Sequence, residues 1–150
     1  MGDKTPAQIQ TNGATFNGIT GRKAMSDTDD HAAISACIAT YLDGLYEGDA
    51  DKIASVFQPT SELTYEELGA VRIIPRDEWL QAVRDRQSPL AQRLPRHDQV
   101  LQMDQSAPGT AFVKLKCAVP PRYFTDYLSL LKIEGQWQIV QKVYAIEGGT

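Results

Sequence analysis

The run RYFTDYLSLLKIEGQWQIVQKVYAI, residues 122–146, limits what this chain can fold into more than any other stretch. It reads as two long strands folded back through Glu134-Gly135. With those two residues as the turn, Leu130 lies opposite Ile139, Tyr127 opposite Lys142 and Asp126 opposite Val143. Side chains alternate faces along a strand. One face therefore carries Phe124, Asp126, Leu128, Leu130, Trp137, Ile139 and Val143, and its apolar character calls for a covering layer of helices. The other face carries Tyr123, Tyr127, Leu131, Lys142 and Tyr144. A single carboxylate, Asp126, sits in the middle of the apolar face. A slip of one residue would exchange the two faces, so the inward Asp126 and the outward Lys142 both depend on this register.

The preceding chain supplies the helices. Ile34, Cys37, Ile38, Tyr41, Leu42 and Leu45 recur at helical spacing, which predicts a helix starting near Thr28 and Asp29 with one buried stripe. Gly48 ends it, and Asp49 caps a short second helix running through Ile53 and Phe57 to a stop at Pro59. Two short strands follow, Leu63 to Glu67 and Val71 to Ile74, joined at Leu68-Gly69-Ala70. A third helix begins around Pro75-Arg76-Asp77 and buries Trp79, Leu80 and Val83. After a loop over 87–96 come a strand from His97 to Gln105 and an alternating strand from Ala111 to Val119, broken by Pro120-Pro121. The order predicts an α+β fold: a strongly curved antiparallel sheet packed against three helices from the N-terminal half. Residues 1–26, rich in Gly, Thr and Asn, carry no sustained period, and Met25 reads as a second start. They are expected to be a leader or disordered extension ahead of one domain over residues 27–148.

Composition narrows the function classes. A formal net charge of −4 with no basic patch argues against nucleic acid as a partner. No run approaches the roughly 18 apolar residues of a membrane span, and no secretory pattern opens the chain, so the cytoplasm is the default compartment. The two cysteines, Cys37 and Cys117, match no zinc or redox spacing and fall on apolar faces, which predicts buried free thiols. Nothing resembles a nucleophile elbow, a phosphate-cradling loop or a dinucleotide fingerprint. No cofactor and no metal are expected.

The order of elements resembles the nuclear transport factor 2-like superfamily, the cone-shaped fold of ketosteroid isomerase, scytalone dehydratase and polyketide cyclases. More narrowly, YLDGLYEGDADKIASVFQP (41–59), FTDYLSLLKIEGQWQIVQKVYA (124–145) and His97-Asp98 resemble the putative lumazine-binding subfamily. The resemblance covers roughly residues 28–146. It implies a pocket between sheet and helices and a homodimer through the convex sheet face. It does not carry over the isomerase's tyrosine and two aspartates or the dehydratase's paired histidines.

Asp126 leads the candidate catalytic residues, because a carboxyl group on an apolar face is desolvated and suits general acid–base work. The structural alternative is a carboxylate satisfied by a tyrosine such as Tyr41. His97 is the second candidate: its strand parity with Leu101 and Met103 would point it inward, towards Asp126. The alternative is a strand-edge histidine held by a loop. Tyr41, Tyr65, Trp79, Phe124 and Trp137 are candidate ligand-binding residues, or plain core. The expected ligand is a small, partly hydrophobic organic molecule. The expected chemistry is cofactor-free isomerisation, dehydration or cyclisation by proton transfer, against the alternative of a non-catalytic ligand-binding or protein-interaction module.

Overall fold

Both tight turns foreseen in the chain carry the backbone that a two-residue hairpin needs. Glu134 and Gly135 have φ of 50° and 81°, and Leu68 and Gly69 have 53° and 81°. Two successive positive φ angles match the right-handed twist of the flanking strands, and the second is reached at no steric cost by glycine. The computed structural model describes residues 16–147, with side chains from Asp29 onward.

Three helices, α1 (Phe16–Glu47), α2 (Ala50–Val56) and α3 (Arg76–Asp85), accompany six strands: β1 (Phe57–Glu67), β2 (Ala70–Pro75), β3 (Gln99–Ala107), β4 (Thr110–Val119), β5 (Arg122–Ile133) and β6 (Gln136–Glu147). The strands form one open sheet in the order β2-β1-β6-β5-β4-β3. The class is α+β, as expected, with one addition. β1 runs parallel to β6, so the sheet is mixed, the other neighbours pairing antiparallel. That parallel seam brings the chain's middle against its last strand and centres the sheet on β6.

The predicted stripe of α1 is buried in full and packs with Leu63, Leu115, Leu128, Leu130 and Ile139 of the sheet. Gly48, at φ +71°, ends α1, and a Cβ there would lie 2.8 Å from the Ser88 Cβ. Asp49 then caps α2 by accepting from the Lys52 N–H at 3.1 Å.

Several boundaries differ from the sequence reading. α1 begins at Phe16 rather than near Thr28, so Asp30 lies inside the helix and not at its end. Its buried carboxylate instead accepts from Lys132 Nζ (2.9 Å), Gln105 Nε2 (3.0 Å) and Trp137 Nε1 (3.2 Å), tying the helix to three strands. The extension foreseen over residues 1–26 falls partly on residues 1–15, outside the described residues. Phe57 opens β1 instead of closing α2, and Pro59 is accommodated where the β1–β6 ladder is irregular, between Phe57 and Glu62. β3 starts at Gln99, which leaves His97 on the preceding loop.

The hairpin register is half as expected. Leu130 pairs with Ile139, but Ser129 pairs with Gln141, so Val140 is an extra residue in β6. Beyond this bulge every partner moves by one: Leu128 faces Lys142, Tyr127 faces Val143 and Asp126 faces Tyr144. Lys142 therefore turns inward, correcting its predicted outward position, and Val143 turns outward, while Asp126 keeps the inward position predicted for it.

Burial raises the Asp30 carboxyl, but the bonds from Lys132, Gln105 and Trp137 outweigh it and hold the group below the ordinary carboxylate value. A group depressed on folding contributes stability that is complete above its unfolded pKa, near 3.9, and lost as pH falls through the folded value. Asp30→Asn should cost about 2 kcal/mol at pH 7 in urea unfolding, and its stability should fall less than that of the parent protein below about pH 4.

Candidate functional site

The inward turn of Lys142 completes a buried trio between helix and sheet. Tyr41, from the α1 stripe, donates its hydroxyl to Asp126 Oδ2 at 2.5 Å. The same hydroxyl oxygen accepts from Lys142 Nζ at 2.7 Å, and that nitrogen lies 3.6 Å from Asp126 Oδ2. Tyr41 and Asp126 are 0% exposed and Lys142 6%, so the two opposite charges are matched inside the protein rather than by water. The ammonium also sits over the ring of Trp79, 4.5 Å from its centroid, with Tyr144 at 5.1 Å and Tyr41 at 5.2 Å. Cys117 Sγ donates to Asp126 Oδ2 at 3.7 Å, whereas Asp126 Oδ1 is buried without a partner.

Burial, reinforced by the Asp126 charge, pushes the Tyr41 phenol well above its ordinary value. It therefore stays a hydroxyl and can donate to Asp126 while accepting from Lys142. Burial likewise raises Cys117, again with help from Asp126, and pushes Cys37 up to about 12. Both thiols are free and buried, as foreseen.

Above the trio lies a cavity of about 300 Å³, bounded by Trp79, Ala82 and Arg86 of the α3 region and by Cys117, Arg122, Phe124, Lys142 and Tyr144 of the sheet. Lys142 is the member of the trio that lines it. A wider cleft of about 610 Å³ runs past Arg96, His97, Asp98, Lys116, Tyr123 and Glu147, sharing Cys117 and Phe124 with the first. Most of its charges are already paired with one another: Arg96 with Asp98, and Lys116 with Glu147 at 3.1 Å. The smaller cavity, which holds the unmatched groups, is the better candidate site.

Of the residues singled out by sequence, Asp126 and Tyr41 meet beneath this cavity, and Trp79 and Phe124 line it. Tyr65 does not line it. Its ring packs 5.1 Å from that of Tyr144 and backs the wall. Trp137 does not line it either, being committed to Asp30 by its indole N–H. His97 is exposed on its loop, edge-on to Tyr123 at 5.4 Å. That loop is held by Arg96, which bonds Asp43 at 2.7 Å as well as Asp98. His97 and Asp126 share no hydrogen bond among the described residues. The sequence reading missed Lys142, Arg86 and Arg122. The signal for Lys142 was the need of a buried carboxylate for a nearby cation. Among the described residues, no group of three or more His, Cys, Asp or Glu side chains converges as metal ligands would, and no helix is long and apolar enough to cross a membrane.

Removing one partner from a buried ion pair costs more than replacing both. Lys142→Met should destabilise the fold by roughly 3–5 kcal/mol. The double variant Lys142→Met/Asp126→Leu should recover a large part of that loss, measured as a double-mutant cycle in urea.

Comparison with known proteins agrees with this architecture. The chain is similar in fold to an NTF2-like protein from Silicibacter pomeroyi DSS-3, with a TM-score of 0.71 and 21% identity over 81% of this chain and 98% of that one. It is also similar to a ketosteroid isomerase-like protein from Erwinia carotovora atroseptica, with a TM-score of 0.59 and 15% identity over 78% and 95% of the two chains. In sequence, 60 residues are 38% identical to aldolase FrzH from a Cladobotryum species, a match over 39% of this chain. That match spans 46% of the aldolase's length, less than half of it. The family described as "Putative lumazine-binding" matches residues 29–145, from the turn of α1 that holds Asp30 to the strand that holds Lys142. The chain belongs to that family and has the NTF2-like fold.

Proposed function

We propose that the cavity over Lys142 binds a small organic molecule bearing a carbonyl group, and that the trio beneath it moves a proton at the carbon beside that carbonyl. The observation that carries this reading is the hydrogen-bonded chain Lys142 Nζ to Tyr41 Oη to Asp126 Oδ2, which ends at the cavity in a nitrogen. When Asp126 takes the phenolic proton and Tyr41 takes one from Lys142, the cavity end of the chain becomes a neutral amine. That amine is the general base: the substrate's C–H proton passes to Nζ, and the electron pair passes to the carbonyl oxygen as an enolate. Returning the proton at another carbon is isomerisation. Attack of the enolate carbon on a second carbonyl is cyclisation or aldol addition. Loss of a β-hydroxyl, which takes the proton from Nζ and leaves as water while the enolate electron pair forms the C=C bond, is dehydration. No cofactor enters any of these steps. In this scheme Lys142 is the catalytic residue, Tyr41 and Asp126 relay to it, and Tyr41 replaces His97 as the partner of Asp126. The similarity to an isomerase-like structure and to part of an aldolase is in keeping with enolate chemistry.

Asp126→Asn keeps the size and most hydrogen-bonding capacity of the side chain but ends the relay. Incubation with aryl methyl ketones and 1,3-diketones in D₂O, followed by proton NMR, should show protein-dependent deuterium uptake at the α-carbon. The variant should melt at a lower temperature, because the buried Lys142 ammonium loses its counter-charge. It should still be folded by circular dichroism at the assay temperature, where it should lose about 10²–10⁴-fold in rate with the pH profile of the residual exchange altered. Exchange by Asp126→Asn at the parent rate and with the parent pH profile would end the proposal.

The outer sheet face supports a second proposal, a homodimer, which holds whether the cavity is catalytic or only binds a ligand. Tyr123, Tyr127, Leu131 and Val143 are all exposed there, and Phe112 stacks on Tyr127 with ring centroids 6.4 Å apart. Such a contiguous apolar surface fits a second copy of the chain, pairing convex face to convex face. Light scattering after size exclusion should give twice the chain mass for the parent protein and the chain mass for Tyr127→Glu.

A further inference from the structure

The cavity carries a charge imbalance that the trio does not use. Its lining contains three cations, Arg86, Arg122 and Lys142, and no carboxylate. Lys142 is matched by Asp126 beneath it. Arg86 is not matched: its Nε and Nη2 are buried without a hydrogen-bond partner. Burial lowers its proton affinity, and the like charge of nearby Arg122 adds to the effect. These cations gather in a protein whose net charge is −4, so the local excess runs against the overall charge.

Placement makes the pair directional. Arg86 caps the C-terminus of α3, its N–H bonding the Ala82 carbonyl at 3.2 Å, and Arg122 opens β5. They approach the cavity from the helical layer and from the sheet respectively. Trp79, Phe124 and Tyr144 supply flat aromatic walls, and Lys142 lies at the floor. Buried guanidinium N–H groups left unpaired are costly in the free protein, and a planar two-oxygen anion is the partner that their fork geometry fits.

We infer that the ligand of this cavity is an anion: a compact, unsaturated carbonyl compound whose carboxylate is held by Arg86 and Arg122 while its carbonyl end reaches Lys142. The inference rests on the proposed reading of this cavity as the ligand site, and it does not depend on the proton relay. About 300 Å³ is at the small end of ligand cavities, which favours a single substituted ring over a polycyclic body.

The test compares 4-acetylbenzoate with 4-acetylbenzamide, probes of the same shape that differ in charge, by titration calorimetry against the full chain. The acid should bind roughly tenfold to a hundredfold more tightly than the amide. Arg86→Met should abolish that margin by weakening the acid far more than the amide, and raising the salt concentration should weaken the acid only. Arg122→Gln, at the outer end of β5, should narrow the margin in the same direction, and it keeps the test open if Arg86→Met fails to fold. Equal affinity of acid and amide for the parent protein, with both weakened by Trp79→Ala, would overturn the anion inference and leave the cavity as the ligand site. Failure of both probes to bind at millimolar concentration would overturn the site reading and this inference together.

Discussion

A carboxylate and an ammonium group buried together against the inner face of the sheet set the terms for the rest of this structure. Taking Asp126 and Lys142 out of water is tolerable only with close opposite charge and hydrogen-bonding partners. Tyr41 meets that requirement by bonding both, with its phenol held protonated by burial. The trio therefore fixes three things at once: the rotation of α1, the register of β5 on β6, and the presence of Val140 as an extra residue. Without the bulge, the alternation that directs Trp137 and Ile139 inward would direct Lys142 outward, and Asp126 would face the core with no cation.

Two clusters of polar groups lie at opposite ends of the helix–sheet interface. At one end, Asp30 draws Lys132, Gln105 and Trp137 into a closed cluster that ties α1 to the sheet. At the other, the aromatic packing around Trp79 opens into a cavity lined by Arg86, whose Nε and Nη2 are buried without a hydrogen-bond partner. Buried polar groups are nearly always paired, and these guanidinium nitrogens are the ones that the proposed anionic ligand would satisfy. The aromatic rings complement this. They hold the lysine by its cation–π contacts.

Much of this was legible in the chain. The apolar stripe from Ile34 to Leu45, the turns at Leu68-Gly69 and Glu134-Gly135 and the alternation in β4 each follow from a local period or a local backbone demand, and each is found where it was read. The inward position of Asp126 was readable for the same reason. What failed was the assumption that one register runs the length of the hairpin. Nothing local in QIVQK marks Val140 as the bulged residue, because several residues there suit either face. His97 was misplaced by a similar error: parity counted from the wrong strand start turned an exposed loop residue into an inward one. For Trp137 the sequence leaves cavity wall and plain core both open, because it fixes the residue's face but not its position along the sheet.

Sequence by itself determined the class of fold, the identity of the buried helical stripe and the presence of one carboxylate on an apolar face. These rest on periodicity and on the conformational limits of single residues, which act within a few positions of the chain. Tertiary structure decided which cation meets that carboxylate, that β1 joins β6 in parallel, and that Arg86 and Arg122 converge on one cavity. Those outcomes depend on charges, ladders and side-chain volumes brought together across long separations. Their energies exist only once the layers have closed and water has been excluded between them.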